Sequence, residues 1–160
     1  MDTKPEALWR ITPEWAKDWA ERFIGGWNSR DPGQLLSLAT DDVTWVDPFI
    51  PGGVAEGKAA VSEWLVQVWK AFPDLAFEWA GEPFVSLDGA RLAAEWKGAA
   101  TFTERLEPAG LEPTGGRVEV TGIDVHEFVG GLVCRVVTVT DMMPFLVQIG
   151  AVPAPPGSGH

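Results

Sequence analysis

A chain of 160 residues with 46% hydrophobic content is long enough for one domain with a substantial core. Its 23 acidic residues against 12 basic ones, a formal net charge of −11, argue against a nucleic-acid partner, which needs its phosphates neutralised, and against an anionic membrane. One cysteine, Cys134, rules out an intrachain disulfide framework; MDTKPEALWR lacks the basic-then-apolar plan of a signal peptide and no apolar run could span a bilayer, so a cytoplasmic location is expected.

Thr12-Pro13-Glu14 is a helix start: an N-cap, a proline at the first helical position and an acid in the first turn. Trp15, Trp19, Phe23 and Trp27 follow at four-residue steps with Ala16, Ala20 and Ile24 beside them, which predicts an amphipathic helix to about Asn28. This aromatic stripe is either plain core or the wall of a cavity for a flat ligand. Nine Trp, eight Phe and no Tyr leave Trp, His, Ser, Thr, amides, Lys, Arg or a protonated acid as the only buried side-chain donors. Asp31-Pro32-Gly33-Gln34 opens a short second helix, with Gln34 placed to close a capping box on Asp31.

The stretch LATDDVTWVDP, Leu38 to Pro48, reads as a helix end, a turn at Asp41 and Asp42, and a short strand. Alternation puts Val43, Trp45 and Asp47 on one face, and Pro48 ends the ladder. A carboxylate at the end of an apolar face is costly unless paired or hydrogen-bonded, so Asp47 is a candidate functional acid; a solvated strand-end aspartate is the plain alternative. Phe49 to Gly57, with Pro51-Gly52-Gly53, is expected to be a loop. A third helix is predicted from Lys58 to Phe72, with Val61, Trp64, Leu65, Val68 and Phe72 on its apolar side and Pro73 as its stop.

From Leu75 the period changes to two. Strands are predicted at Leu75–Val85, Arg91–Thr103, Arg117–Val129 and Leu132–Thr140, with turns at Leu87-Asp88-Gly89 and Gly130-Gly131 and a loop over Glu104–Gly116. Met142 to Ile149 adds a last helical turn, which Asp141 is expected to cap. Helices followed by strands give an α+β fold: a curved antiparallel sheet wrapped around a long helix, cone-shaped with one internal pocket. Residues 1–150 are read as one domain and 151–160 as a flexible tail.

Leu92, Ala94, Trp96, Gly98, Ala100 and Phe102 share one face of their strand. In the next strand Val118, Val120, Gly122, Asp124, His126 and Phe128 share another, which makes Asp124 a second inward acid. Two buried carboxyls can be pushed to different pKa values, the requirement for an acid and a base. The structural alternative pairs Asp124 with Arg117, Arg135 or a backbone donor. His126 is a proton relay or a core histidine, Cys134 a small core residue. With two histidines, one of them in the tail, no metal site is expected, and the Gly-rich turns lack the plan of a phosphate loop.

The order of elements resembles the nuclear-transport-factor-two-like cone. LATDDVTWVDP followed by EGKAAVSEW is similar to bacterial ketosteroid isomerases, where the Asp of Asp-Pro is the general base; Asp47 falls on it. GIDVHEF followed by Gly-Gly resembles the strand bearing their protonated second aspartate, which implies that role for Asp124. The tyrosine that donates to the oxyanion there falls on Phe23, so this donor is missing. Trp96-Lys97-Gly98, the segment Gly110 to Val118 and the ending PFLVQIGAVPAP resemble SnoaL-like polyketide cyclases, which close a ring by aldol chemistry without a cofactor. Their catalytic Asp falls on Thr138 and their neighbouring His on Asp124. A related epoxide hydrolase family uses an Asp-Arg-Asp set, but Arg135 alternates away from the cavity.

The resemblances imply a cofactor-independent isomerase or cyclase acting on a hydrophobic carbonyl compound such as a polyketide intermediate. Asp47 and Asp124 are its expected catalytic pair, and Trp19, Phe23, Trp27, Trp45, Trp64, Trp96, His126 and Thr138 its substrate-binding residues. Ring closure by substrate folding alone and a non-catalytic binding module remain open alternatives. The outward set Thr121, Ile123, Val125, Val137 and Val139 is apolar enough to suggest a homodimer.

Overall fold

The computed structural model describes residues 8–107 and 110–157. The first seven residues, to which most of the signal-peptide reading refers, two residues of the 104–116 loop and the last three of the tail lie outside the described residues.

Helix α1 (Pro13–Ser29) starts as its sequence dictates: the Thr12 hydroxyl accepts the Trp15 N–H at 3.2 Å. It ends at Arg30, held left-handed at φ 58°, a conformation that costs on the order of 1 kcal/mol for a residue other than glycine. The Arg30 guanidinium then donates to the Leu75 carbonyl at 3.0 Å, tying the helix end to the chain leading into the sheet. In the short α2 (Pro32–Leu36), Asp31 caps through the Gly33 N–H at 2.8 Å, and among the described residues no Gln34 hydrogen bond completes the expected box. Helix α3 (Gly57–Ala71) buries Val61, Trp64, Leu65, Val68 and Trp69.

The strands are β1 (Ala39–Val46), β2 (Val54–Glu56), β3 (Ala76–Trp79), β4 (Phe84–Val85), β5 (Arg91–Thr101), β6 (Arg117–Val129) and β7 (Leu132–Thr140). They form one curved sheet in the order β2-β1-β7-β6-β5-β3, with β4 also on β5. The α+β class stands, with one change to the pairing: β1 runs parallel to β7, because the chain returns to β1's flank only after a long excursion. Three segments differ from the sequence reading. Asp41 and Asp42 lie within β1, at a register irregularity against β7. Val54–Glu56, expected as loop, pairs with β1. The expected strand Leu75–Val85 is split at residues 80–83, where Gly81 and the donor-less Pro83 interrupt the ladder.

A register shift between Glu127 and Phe128 marks a bulge opposite Cys134 and Arg135 in β7. The extra residue resets the strand's phase, so that Val133, Val136 and Thr138 all turn inward. Cys134 is therefore half-buried at the bulge rather than in the core, its thiol donating to the Glu127 carbonyl at 3.4 Å.

Between the sheet and α1 and α3 lies a core of rings. Trp19 stacks on Phe23 with centroids 4.8 Å apart, and Trp27 meets Phe77, Trp45, Trp64 and Trp69 within 5.1–5.9 Å. Burying one such ring stabilises by about 2–3 kcal/mol. Two amide side chains fasten helices to the sheet by mimicking a strand: Asn28 exchanges hydrogen bonds of 2.8–2.9 Å with the Phe77 backbone, and Gln148 does the same with Glu119 at 2.7–2.8 Å. Gln148 ends α4 (Met142–Gln148), which carries Phe145 against Phe49 at 5.2 Å. Asp141 occupies the cap position of α4, but its side chain makes no capping hydrogen bond; its N–H bonds the Thr121 carbonyl instead.

Candidate functional site

An apolar pocket lies between the concave sheet face, α1 and α3, with a cavity volume of about 80 Å3. Phe49, Leu106 and Phe145, from two loops and α4, complete the wall that the sheet and long helices leave open. Its polar side chains are Asp47, Asp124, Thr138 and Thr140, all on the β1/β7/β6 side, apart from the indole N–H groups of its tryptophans; no lysine or arginine is among its lining residues.

Asp47 follows the last β1 rung, where Val46 pairs with Val137. The Asp-Pro sequence makes it a turn residue and an inward residue at once. Its N–H bonds the Gly53 carbonyl, its carbonyl accepts from Ile50, and Oδ1 accepts the Phe49 N–H at 2.8 Å. That turn fixes the carboxyl in the pocket wall at 6% exposure. Burial pushes its pKa up to about 6, against the opposing pull of the Phe49 N–H and the Thr138 hydroxyl.

Asp124, 5% exposed, faces Ala94 on β5 and Thr138 on β7. Its Oδ1 accepts the Trp96 indole N–H at 2.9 Å. This bond depends on Gly122: a Cβ there would lie 2.4 Å from the Trp96 ring and 2.5 Å from the Val139 carbonyl, so only glycine lets the indole lie across β6. Burial pushes the Asp124 pKa up to about 7, offset by Trp96 and Thr138 and reinforced by Asp47. Burial thus favours its protonated form. The ion-pair alternative fails: Arg135 points outward to Glu127 at 3.3 Å, and Arg117 sits exposed at the start of β6.

Thr138 lies between the two acids. It is the cross-strand neighbour of Asp124 and one step beyond the Val46–Val137 rung that precedes Asp47. Its oxygen accepts the Trp45 indole N–H at 3.4 Å, and its hydroxyl draws the pKa of both acids down against their burial.

Of the expected site residues, Phe23, Trp27, Asp47, Trp64, Trp96, Asp124 and Thr138 line the pocket together. Trp19, Trp45 and His126 do not; they form the layer behind it. His126 is fully buried among Trp19, Phe23, Trp79 and Phe128, with centroids 4.6–6.4 Å away. Burial drives its pKa down to about 3, so it is neutral near pH 7 and forms no ion pair with Asp124 Oδ2, 3.7 Å from Nε2. Neither ring nitrogen makes a hydrogen bond. Phe23, where the isomerase tyrosine falls, presents only its ring.

The sequence reading did not single out Phe77, Trp79 or Thr140 as lining, although strand phase could have found them: Phe77 and Trp79 pair with Gly98 and Trp96, and Thr140 repeats the phase of Thr138. Leu106 and Phe145 carry no such signal, since they come from a loop and a single short helix. Among the described residues no three His, Cys, Asp or Glu side chains are grouped to hold a metal ion, and no helix is long and apolar enough to cross a membrane.

Several solved structures share this architecture. AclR, a candidate hydroxylase from Streptomyces galilaeus, is 26% identical, with 91% of each chain covered and a TM-score of 0.73. TsrD from Streptomyces laurentii is 18% identical, covering 89% of this chain and 99% of that one, TM-score 0.75. A candidate SnoaL-like polyketide cyclase from Jannaschia sp. CCS1 is 15% identical over 96% of this chain and 99% of its own, TM-score 0.73. No curated protein matches the sequence. The SnoaL-like domain profile matches residues 20–136, from the second half of α1 to the middle of β7, and the chain belongs to the SnoaL-like family.

Proposed function

We propose that the protein is a cofactor-independent isomerase or cyclase that moves protons on a neutral, hydrophobic carbonyl compound. The observation that carries this reading is the pair of buried carboxyls facing one apolar cavity with no cation among its lining residues. A structural ion pair would need that cation. Asp47, the lower of the two at about 6, is the base that removes a proton alpha to the carbonyl. Asp124, at about 7, is the acid that donates to the developing enolate oxygen. Trp96 holds the Asp124 carboxyl in place through its indole N–H.

Between pH 6 and 7 the pair carries one proton, so kcat/KM follows a bell whose limbs belong to the pair rather than to either residue. Trp27, Trp64, Phe77 and Trp96 form aromatic sides that favour a flat ligand. The small open volume favours a ligand that fits edge-on against the polar wall, over a bulky or anionic one. TerC, a structural neighbour at 19% identity and TM-score 0.67, was co-crystallised with polyporic acid; tight binding of that acid by this protein would count against the preference for a neutral ligand.

The test is Asp47→Asn assayed against a panel of flat ketones for exchange of the alpha proton with solvent deuterium. Proton transfer requires that exchange, which wild type performs and the variant loses. Tight binding of the same compounds by both proteins with no exchange by either would favour the binding-module alternative.

A further inference from the structure

Each pocket acid is held by one oxygen. Asp47 Oδ1 accepts the Phe49 N–H at 2.8 Å, and Asp124 Oδ1 accepts the Trp96 indole N–H at 2.9 Å. Among the described residues no N–H donates to either Oδ2. The donors differ in kind. Asp47 is held by the backbone of its own turn, Asp124 by a side chain from the neighbouring strand. In the β5–β6 register Trp96 faces Gly122 and Asp124 faces Ala94, so the indole reaches the acid by crossing over Gly122. A Cβ at position 122 would lie 2.4 Å from the indole ring, which makes the glycine a condition of the bond. An indole nitrogen only donates, so the oxygen it meets must accept. In a neutral carboxyl the better acceptor is the carbonyl oxygen, and the hydrogen is carried by the other.

We propose that Trp96, seated over Gly122, is a positioning residue: it fixes the transferable hydrogen of Asp124 on Oδ2 and stabilises the carboxylate that remains when that hydrogen leaves. Its role in turnover rests on the proton-transfer reading above. There the O–H bond at Oδ2 breaks, an O–H bond forms on the enolate oxygen of the ligand, and the bonding pair stays behind as the carboxylate charge. The indole N–H meets that charge at Oδ1 without moving, and a charge-assisted hydrogen bond is stronger than a neutral one. The arrangement also narrows the ligand. With Oδ1 taken and a hydrogen on Oδ2, Asp124 suits a lone acceptor oxygen, as a carbonyl supplies, rather than a group that brings its own hydrogen.

The titratable side chains that face Asp124 are Asp47, at the end of β1, and His126, on β6 itself, with Nε2 3.7 Å from Oδ2. His126 stays neutral among its rings. The residues that α1, α3, α4, β3 and β5 contribute to the pocket are apolar or aromatic, and β7 adds the Thr138 and Thr140 hydroxyls. Of the influences that oppose burial at Asp124, the Trp96 N–H is the largest, in agreement with the geometry.

The test is a pH titration of the ligand-free protein by NMR, following the indole N–H signals and the aspartate carboxyls together in wild type, Trp96→Phe and Gly122→Ala. It needs no substrate, so it succeeds or fails independently of the catalytic reading. In wild type the Trp96 indole proton should move downfield as Asp124 ionises, with the midpoint of the upper carboxyl step near pH 7. The Trp45 indole, which donates to the Thr138 hydroxyl, should show no step of that size. Trp96→Phe takes a donor from the ionised acid, so the upper step should rise by about one pH unit while the lower one stays in place. Gly122→Ala keeps the indole but displaces it, and should raise the same step. An upper step that is unchanged or lowered in Trp96→Phe would overturn the proposal and leave the indole a packing role. So would a Trp96 indole signal that stays flat through the upper step. Should either variant fail to fold, the wild-type indole signal, identified by its contact with the Phe77 ring, still decides.

Discussion

Asp124 and His126 are two residues apart on the same face of β6 and almost equally buried, yet their surroundings produce opposite outcomes. Around Asp124 the chain supplies an indole N–H, a hydroxyl, a second carboxyl and open space. Around His126 it supplies mostly rings, with the Asp124 carboxyl 3.7 Å from Nε2, and neither nitrogen makes a hydrogen bond. Burial shifts both groups toward their neutral forms. Only the first region couples that shift to a donor, a partner acid and a cavity, which is what separates a candidate site from an aromatic core. Degree of burial alone does not tell the two apart.

The largest expected effect falls on the first region. Asp47→Asn should lower turnover on the order of a hundredfold or more while thermal unfolding stays near wild type. Next comes Asp124. Asp124→Asn keeps a donor and should retain more activity than Asp124→Ala. It also carries a stability signature with a definite sign. The folded pKa of Asp124 is raised, so its contribution is full below the unfolded value near 4 and is lost as pH climbs through about 7. Asp124→Asn should therefore be the more stable protein at pH 8, by an amount on the order of a few kcal/mol, measured by urea unfolding across pH.

His126→Phe should sharpen the contrast. If the second region is core, this variant leaves turnover at neutral pH unchanged, and loss of activity would break the comparison. Its stability effect has the opposite sign to that of Asp124. A histidine whose folded pKa is depressed stabilises above the unfolded value of 6.5, and that contribution is lost as pH falls toward 3. Removing the imidazole should thus flatten the acid limb of the stability curve. The smallest effect is expected outside both regions. We propose a homodimer on the outer face of β6 and β7, where Ile123, Val125 and Val137 are half-exposed and Val139 is 57% exposed. Val139→Lys should shift light scattering from dimer to monomer without touching turnover, and a wild-type monomer in the micromolar range would remove the idea.

Much of this contrast was legible in the sequence, and the illegible part has physical reasons. Alternation placed Val43, Trp45 and Asp47 inward, and Asp124 with them, because a strand period of two leaves little freedom once one face is apolar. It could not separate Asp124 from His126, since both share that period. What distinguishes them is cross-strand: Trp96 reaches Asp124 diagonally over Gly122. A diagonal contact has no signature in a single strand's pattern. For the same reason β2 was missed, a three-residue strand in a Pro-Gly-rich stretch whose identity comes from its pairing with β1. The pocket's closing residues, Leu106 and Phe145, come from parts of the chain with no period to read.

The most direct test of the shared-proton site is a carboxyl titration of wild-type protein by NMR, with Asp47→Asn and Asp124→Asn used to assign the steps. Two steps near pH 6 and 7 that belong to this pair, with the upper step moving to lower pH in Asp47→Asn as the neighbouring charge is removed, are the result expected. Both carboxyls ionised well below pH 5, each indifferent to loss of the other, would contradict it.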